Sequence, residues 1–248
     1  MDKMENQETV LKVKDLCKGT ILKNVSFSME SGEMTAVMGP SGSGKSTLLY
    51  QISGMDKADG GEVWIGKTQI TGLNEEEKAA FRLRHIGFVF QQMNMLSNLN
   101  ILDNILLPAR QKKSREKEDT YARQLMEKLS ISNLGDRRIS QVSGGQLQRA
   151  CICRSMINHP ELILADEPTG ALNQKAAAEV MDTFVALNRE GATILMVTHD
   201  RVVASKCQRV LYLVDGKIIG ELKLGKLEPG TEKDREERLG QWLTALAW

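Results

Sequence analysis

The residues Gly39, Pro40, Ser41, Gly42, Ser43, Gly44, Lys45, Ser46 and Thr47 have the types and spacing of a phosphate cradle. They fit the pattern GxxxxGK followed by Ser or Thr, placed after an apolar strand pattern and opening a helical one. Glycines let the backbone bend so that successive N–H groups point into one concavity, which suits phosphate oxygens. The helix start adds about half a positive charge where the anion would sit. Lys45 is expected to reach β- and γ-phosphates, and the Ser46 hydroxyl to ligate Mg²⁺.

A second group is Leu162-Ile-Leu-Ala165-Asp166-Glu167, an apolar run ending in two acids. Two carboxylates at the end of a central strand are costly to bury without a cation or water to meet them. Asp166 is suited to hold Mg²⁺ through water, and Glu167 to polarise an attacking water as general base. A third group is Ser143, Gly144, Gly145 and Gln146, directly before a helical pattern from Leu147 to Asn158. Serine is a good N-cap, and the glycines expose backbone N–H groups, so this is a second anion-binding helix start.

These groups need elements to hold them. Val25, Phe27 and Met29 alternate as a strand does, and Met34 to Met38 is a short apolar run ending in glycine. Lys45 to Ser53 reads as a helix, Glu62 to Ile65 as a strand, Glu75 to Arg84 as a charged helix, and Ile86 to Phe90 as a buried strand. From about Asn104 to Asn158 the pattern is helical and charge-rich, with Lys112 to Arg123 almost entirely polar; this is a candidate inserted lobe. Leu162 to Ala165 and Thr193 to Val197 are strands flanking a helix from Gln174 to Asn188. Strands separated by helices in this rhythm indicate a mostly parallel sheet covered on both faces. Val210 to Val214 and Lys217 to Leu222 flank Asp215-Gly216, a hairpin turn signal. Near the end, Leu239, Trp242, Leu243 and Leu246 form one apolar stripe on a helix. Packing on its own domain and docking to a partner would both use such a stripe.

Composition narrows the function classes. Aromatic residues are 4% of the chain, too few for a base-stacking platform, and a net charge of +1 argues against commitment to nucleic acid or anionic lipid. The four cysteines have no CxxC spacing and read as reduced thiols rather than a metal site. The stretch MDKMENQETV is polar, without the apolar core of a signal peptide, and no run approaches the ~20 apolar residues of a membrane span. Any membrane role is therefore expected to come through a partner.

In this order, the Gly39–Thr47 turn, Gln91, Val142–Gln146, Asp166–Glu167 and His199 resemble the motifs of ABC ATPase subunits, from about Leu11 to Gly225. The resemblance implies a P-loop NTPase (RecA-like) α/β fold: a mostly parallel core sheet, an N-terminal antiparallel β part and an inserted α-helical subdomain. It implies ATP and Mg²⁺ as ligands and a head-to-tail dimer with a second copy. In that dimer Ser143, Gly144, Gly145 and Gln146 of one subunit cap the γ-phosphate held by the other. Gln91 is implied to touch Mg²⁺ or the attacking water, and His199 the γ-phosphate. The matching division of the chain is 1–93 with 159–225 as nucleotide-binding core, 94–158 as helical signature subdomain, and 226–248 as C-terminal amphipathic helix.

Gly87-Phe-Val-Phe-Gln91, Asn104-Ile-Leu-Leu-Pro108 and Ala165-Asp-Glu-Pro-Thr-Gly170-Ala-Leu172 look more narrowly like the macrolide-exporter, lipoprotein-releasing and bacitracin-resistance ATPases. That subgroup implies an integral permease of the FtsX-like type as partner, export or mechanical work, and a place on the cytoplasmic face of the membrane. The DNA-repair branch of the family carries a long coiled coil after the P-loop, and the ribosome-acting branch two cassettes; neither is seen here. Three positions depart from the family pattern: Cys17 where an aromatic residue usually stacks on adenine, Asn173 in place of Asp, and Val142 in place of Leu. Asn173 keeps the size but loses the charge, and slow hydrolysis is the expectation. Met93, Met95, Leu96 and Leu99 follow Gln91 in a polar loop and fit either core packing or a groove for a permease helix.

Overall fold

The computed structural model describes residues 8–110 and 115–246. Residues 1–7, residues 111–114 with the 112–114 part of the polar run, and the last two residues of the C-terminal segment lie outside the described residues. In chain order the elements are β1 (Thr9–Lys18), β2 (Leu22–Glu30), β3 (Met34–Met38), α1 (Lys45–Ile52), β4 (Gly60–Ile65), β5 (Thr68–Gln69), α2 (Glu75–His85) and β6 (Ile86–Val89). They continue with α3 (Ile101–Leu106), α4 (Arg115–Lys128), α5 (Gly144–Met156), β7 (Leu162–Asp166), α6 (Gln174–Arg189), β8 (Ile194–Val197), α7 (Arg201–Ser205), β9 (Arg209–Val214), β10 (Lys217–Lys223) and α8 (Glu232–Ala245).

The strands make two sheets. A four-stranded antiparallel sheet runs β2-β1-β4-β5, and a six-stranded sheet runs β10-β9-β3-β8-β7-β6. In the larger sheet every pairing is parallel except that of β10 with β9. Parallel strands covered on both faces run almost wholly apolar, and all five residues of β3 and of β7 are buried, polar only at Thr35 and Asp166. Successive side chains then part to opposite faces. Met34, Ala36 and Met38 of β3, with Ile163 and Ala165 of β7, join one core under the helices. Val37, Leu162 and Leu164 join the other, which α1 shares with the antiparallel sheet. The large sheet therefore lies between the small sheet with α1 on one side and helices α3 to α6 and α8 on the other.

The fold class agrees with the expectation from the motifs. In β1 the buried residues Leu11, Val13 and Leu16 break the two-residue period of a strand. The pairing shows the reason: the register of β1 shifts between Val13 and Leu16, where Asp15 takes a left-handed φ of 48°. The inserted region is helical as expected, with α3, α4 and α5 packed on one another.

Gly87 in β6 marks where the helical part meets the sheet. A β-carbon there would lie 2.5 Å from the Ser155 carbonyl oxygen of α5 and 3.1 Å from Pro160 Cγ. Gly87→Val is expected to push α5 off the strand and to lower stability by about 1–3 kcal/mol, the usual cost of overpacking. Urea unfolding of the variant checks this; an unchanged midpoint would show that the contact yields freely.

Candidate functional site

The carboxyl ends of β3, β7 and β8 lie side by side, and each delivers one part of the site. Val37 pairs with Val197, and Val197 with Asp166, so the three ends are level. Two backbone bonds continue the pairing past the strands: Thr198 N–H donates to Val37 O at 3.1 Å, and Glu167 N–H to Val197 O at 3.0 Å. Ligands in open α/β sheets bind at this edge.

The turn after β3 runs from Gly39 into α1. Gly44 is the helix cap at φ 102°, where a β-carbon would meet Leu22 Cδ2 at 2.9 Å and Ile21 O at 3.1 Å, so only glycine fits without strain. A cleft of about 870 Å³ opens over the turn, lined by Gly39–Gly42 and Gly44–Thr47 together with Ile21, Glu167 and His199. Lys45 is buried, and its ammonium donates to Gly39 O and Pro40 O, both at 2.9 Å. Burial pulls the Lys45 pKa below the ordinary amine value, against the opposing pull of the Glu167 and Asp166 charges. Within the turn, the buried Ser43 Oγ has no hydrogen-bond partner among the described residues.

Asp166 is buried at the end of β7, and its Oδ1 accepts from Ser46 Oγ at 2.9 Å. Burial pushes its pKa up from the ordinary carboxylate value, while hydrogen bonds from Ser46 and Tyr50 pull it down. The Lys45 charge also pulls on the carboxylate from further off, and the carboxylate oxygens are hard donors of the kind a divalent cation takes. Glu167 follows at φ 42°, a left-handed backbone that costs a non-glycine residue of order 1–3 kcal/mol. This conformation turns its carboxylate out of the strand line and into the cleft, where Oε1 lies 3.1 Å from His199 Nδ1. A β-carbon at Gly170 would meet Glu167 Oε2 at 3.3 Å and Gln91 Nε2 at 3.6 Å, so the glutamine amide and the carboxylate converge there.

The structure thus brings together the Gly39–Thr47 turn, Gln91, Asp166, Glu167 and His199. It places the Ser143–Gln146 turn elsewhere, outside the lining of this cleft. There Ser143 and Gln146 form a reciprocal capping box: Gln146 N–H donates to Ser143 Oγ at 3.3 Å, and Ser143 N–H to Gln146 Oε1 at 2.9 Å. Gly145 lies against Ala176 of α6, and Gly144 against Leu172. Cys17 does not line the cleft either, because its thiol turns to Asn24 Oδ1 at 2.9 Å. Asn173 caps α6 by accepting from Ala176 N–H at 2.9 Å, a role asparagine fills as well as aspartate.

Two residues of the site carried no readable signal. Ile21 is an apolar side chain 44% exposed in the β1–β2 turn, and it lines the cleft beside the cradle. Tyr50 is one residue of the helical pattern opening at Lys45, yet its hydroxyl pulls the pKa of Asp166 down. Only the fold brings either to the site.

A family profile described as "ABC transporter" matches residues 22–170. The ABC transporter ATP-binding protein YxdL of Bacillus subtilis is 45% identical over 229 residues, which is 90% of this chain and 89% of that one. The bacitracin export ATP-binding protein BceA of Halalkalibacterium halodurans is 43% identical over 212 residues, covering 85% of this chain and 84% of the other. Among solved structures, the dimeric post-hydrolysis state of the ATP-binding cassette MJ0796 bound to ADP and Pi superposes with a TM-score of 0.78. It is 38% identical and covers 88% of this chain and 100% of that chain.

The raised pKa of Asp166 has a definite sign in stability. Its favourable contribution is complete below the ordinary carboxylate pKa and is lost as pH rises through the raised folded value. At neutral pH the nucleotide-free fold therefore carries an ionised carboxylate at a cost. Asp166→Asn is expected to melt above the parent at pH 7 without nucleotide, with the gap closing as pH falls toward about 4. Thermal melts across that range check it, and a lower melting point at pH 7 would reverse the assignment.

Proposed function

The chain belongs to the ABC transporter family as an ATP-binding ATPase subunit, and on that footing we propose that it dimerises head to tail around two Mg-ATP and drives an FtsX-like membrane permease. The work delivered would be export, antimicrobial resistance or mechanotransmission. The observation that carries the reading is the incompleteness of the cleft: cradle, Glu167 and histidine line it, while the Ser143–Gln146 helix start is not part of its lining. A second copy turned head to tail supplies that missing wall. The named activity of the bacitracin-export relative and the dimeric state of the MJ0796 cassette point the same way.

In this reading the core is 1–93 with 159–225, the signature subdomain 94–158, and the C-terminal helix 226–248. Lys45 leaves the Gly39 and Pro40 carbonyls for the β- and γ-phosphates, which replace its two neutral acceptors with charged ones. Ser43 Oγ, unpartnered in the cradle wall, is a further donor for phosphate oxygen. Ser46 Oγ and Asp166 are the groups that would hold Mg²⁺, with Gln91 beside them, and the ion would offset phosphate charge. Glu167 takes a proton from the attacking water as the new oxygen–phosphorus bond forms and the bond from the γ-phosphorus to the bridging oxygen breaks, with ADP leaving. His199 contacts the γ-phosphate while its Nδ1 stays against Glu167.

The permease contact falls in the loop after Gln91. Arg154 pins that loop through Asn94 O and Met93 O, and Asn104 pins it through both the N–H and the carbonyl of Leu96. Met95 packs against the helical core, whereas Leu96 is 46% exposed, so the two uses of the apolar run divide between neighbours. No helix among the described residues is long and apolar enough to cross a membrane. In this reading the chain reaches the cytoplasmic face of the membrane through its permease, and nucleic acid is not a partner.

The test is a pull-down from detergent-solubilised membranes with tagged Glu167→Gln protein and Mg-ATP. The variant should bind ATP, lose turnover and retain an integral membrane protein; recovery of ribosomes or DNA-bound factors would overturn the reading. Leu96→Asp should abolish that co-purification while ATP binding stays intact. If the membrane protein is still recovered, the contact lies on another surface.

A further inference from the structure

The C-terminal helix α8 is held by more than apolar burial. Leu239 and Leu243 are fully buried, and Trp242 lies over Gly220 of β10, where a β-carbon would come within 2.9 Å of its ring. The same indole meets Tyr212 edge-on at 6.2 Å. Those contacts suffice to dock an amphipathic helix. Yet one turn earlier Arg235 is buried as well, 4% exposed, and its hydrogen bonds all go to backbone carbonyls. Nε donates to Ser205 O at 2.7 Å, and Nη2 to Cys207 O at 2.6 Å and Gly225 O at 3.2 Å. Nη1 donates to Leu224 O at 3.0 Å and Lys226 O at 3.3 Å. A buried cation held only by neutral acceptors is an expensive way to fix a helix.

What those acceptors share is their place in the chain. Ser205 is the last residue of α7 and Cys207 lies just beyond it, while Leu224 to Lys226 leave β10. The five residues of α7 begin two positions after His199 and are far too few to be helical on their own. The segment is therefore braced from outside at both ends. At its start, Thr198 N–H bonds Val37 O, and Asp200 N–H bonds Thr198 Oγ1 at 3.0 Å. Asp200 Oδ1 in turn accepts from Val202 N–H at 2.7 Å. At its end the orphan carbonyls point at the Arg235 guanidinium, a cation where the helix dipole is negative.

We propose that Arg235 is a positioning residue for His199: by clasping the end of α7 it sets where the imidazole stands against Glu167 and the γ-phosphate. This rests on the reading of His199 as a γ-phosphate contact, and the experiment separates the two. The C-terminal helix thereby belongs to the active-site scaffold, though none of its side chains reaches the cleft.

The experiment compares Arg235→Met, Arg235→Lys, His199→Gln and the Arg235→Met/His199→Gln double variant as full chains in Mg-ATP turnover. Arg235→Met is expected to lower kcat by about tenfold, the order of coupling between residues linked by one backbone segment, while KM for ATP stays within about twofold. In the His199→Gln background the same change should cost nothing further. Arg235→Lys keeps the charge but loses the fork and should fall between; it carries the test alone if the methionine variant does not fold. The chain has three histidines, so imidazole NMR gives a second readout. The His199 ring signals should move in both Arg235 variants, while those of His159, stacked on Tyr121, stay in place. Full additivity, or an unmoved His199 signal, overturns the positioning role. Unchanged kcat in His199→Gln instead overturns the reading of His199 itself.

Discussion

Everything at the site depends on three parallel strands ending at the same height. The bonds from Thr198 N–H to Val37 O and from Glu167 N–H to Val197 O carry the strand pairing one residue beyond the sheet. They lock the turn after β3, the acids after β7 and the histidine after β8 into one rigid edge. Because the register is parallel, moving any strand along its neighbour would slide its whole contribution out of the cleft. The apolar side chains on both faces prevent such movement: Val37 and Leu164 belong to one core, Ala36 and Ala165 to the other. A site built on strand ends inherits the stiffness of both.

That stiffness lets the protein hold charges where water alone would be kinder to them. Lys45 rests on two carbonyls and Asp166 on the Ser46 hydroxyl, each partner neutral and each pKa displaced by burial toward the uncharged form. The nucleotide-free cleft is thus electrostatically unfinished. Polyphosphate complements the Lys45 charge and, in the proposed reading, a cation complements Asp166, so that binding both would relieve two burial costs together. Structure formation and ligand recognition are in this sense one balance, with folding setting the deficit that the ligand offsets.

The candidate site is legible in the sequence wherever it is local. Gly39 to Thr47 is a contiguous turn whose glycines, lysine and hydroxyls declare their use, and Asp166-Glu167 declares itself by ending an apolar run. The strands of the large sheet were legible for the same reason, since burial on both faces writes an unbroken apolar word. What escaped depends on contacts between distant segments. Tyr50 reads as a core position of α1 until β7 places Asp166 before it, and Ile21 reads as a turn residue until the cradle lies beside it. Cys17 sits on a strand whose bulge at Asp15 changes the side chain directions, and nothing in its neighbours announces that bulge. Arg235 reads as a surface charge on a polar helix, because its carbonyl partners come from two other segments.

The backbone at Glu167 sets stability against the proposed catalytic role in a single residue. Its left-handed φ is a conformation that glycine adopts freely and a residue with a side chain does not. Selection for a firmer fold alone would therefore install glycine here, and the sheet would be better for it. The same twist aims the carboxylate at His199 and the cleft rather than along the strand. If Glu167 is the base proposed above, position 167 is a place where drift toward thermal robustness and loss of function are the same substitution, and a hardened but idle version of this fold lies one residue away.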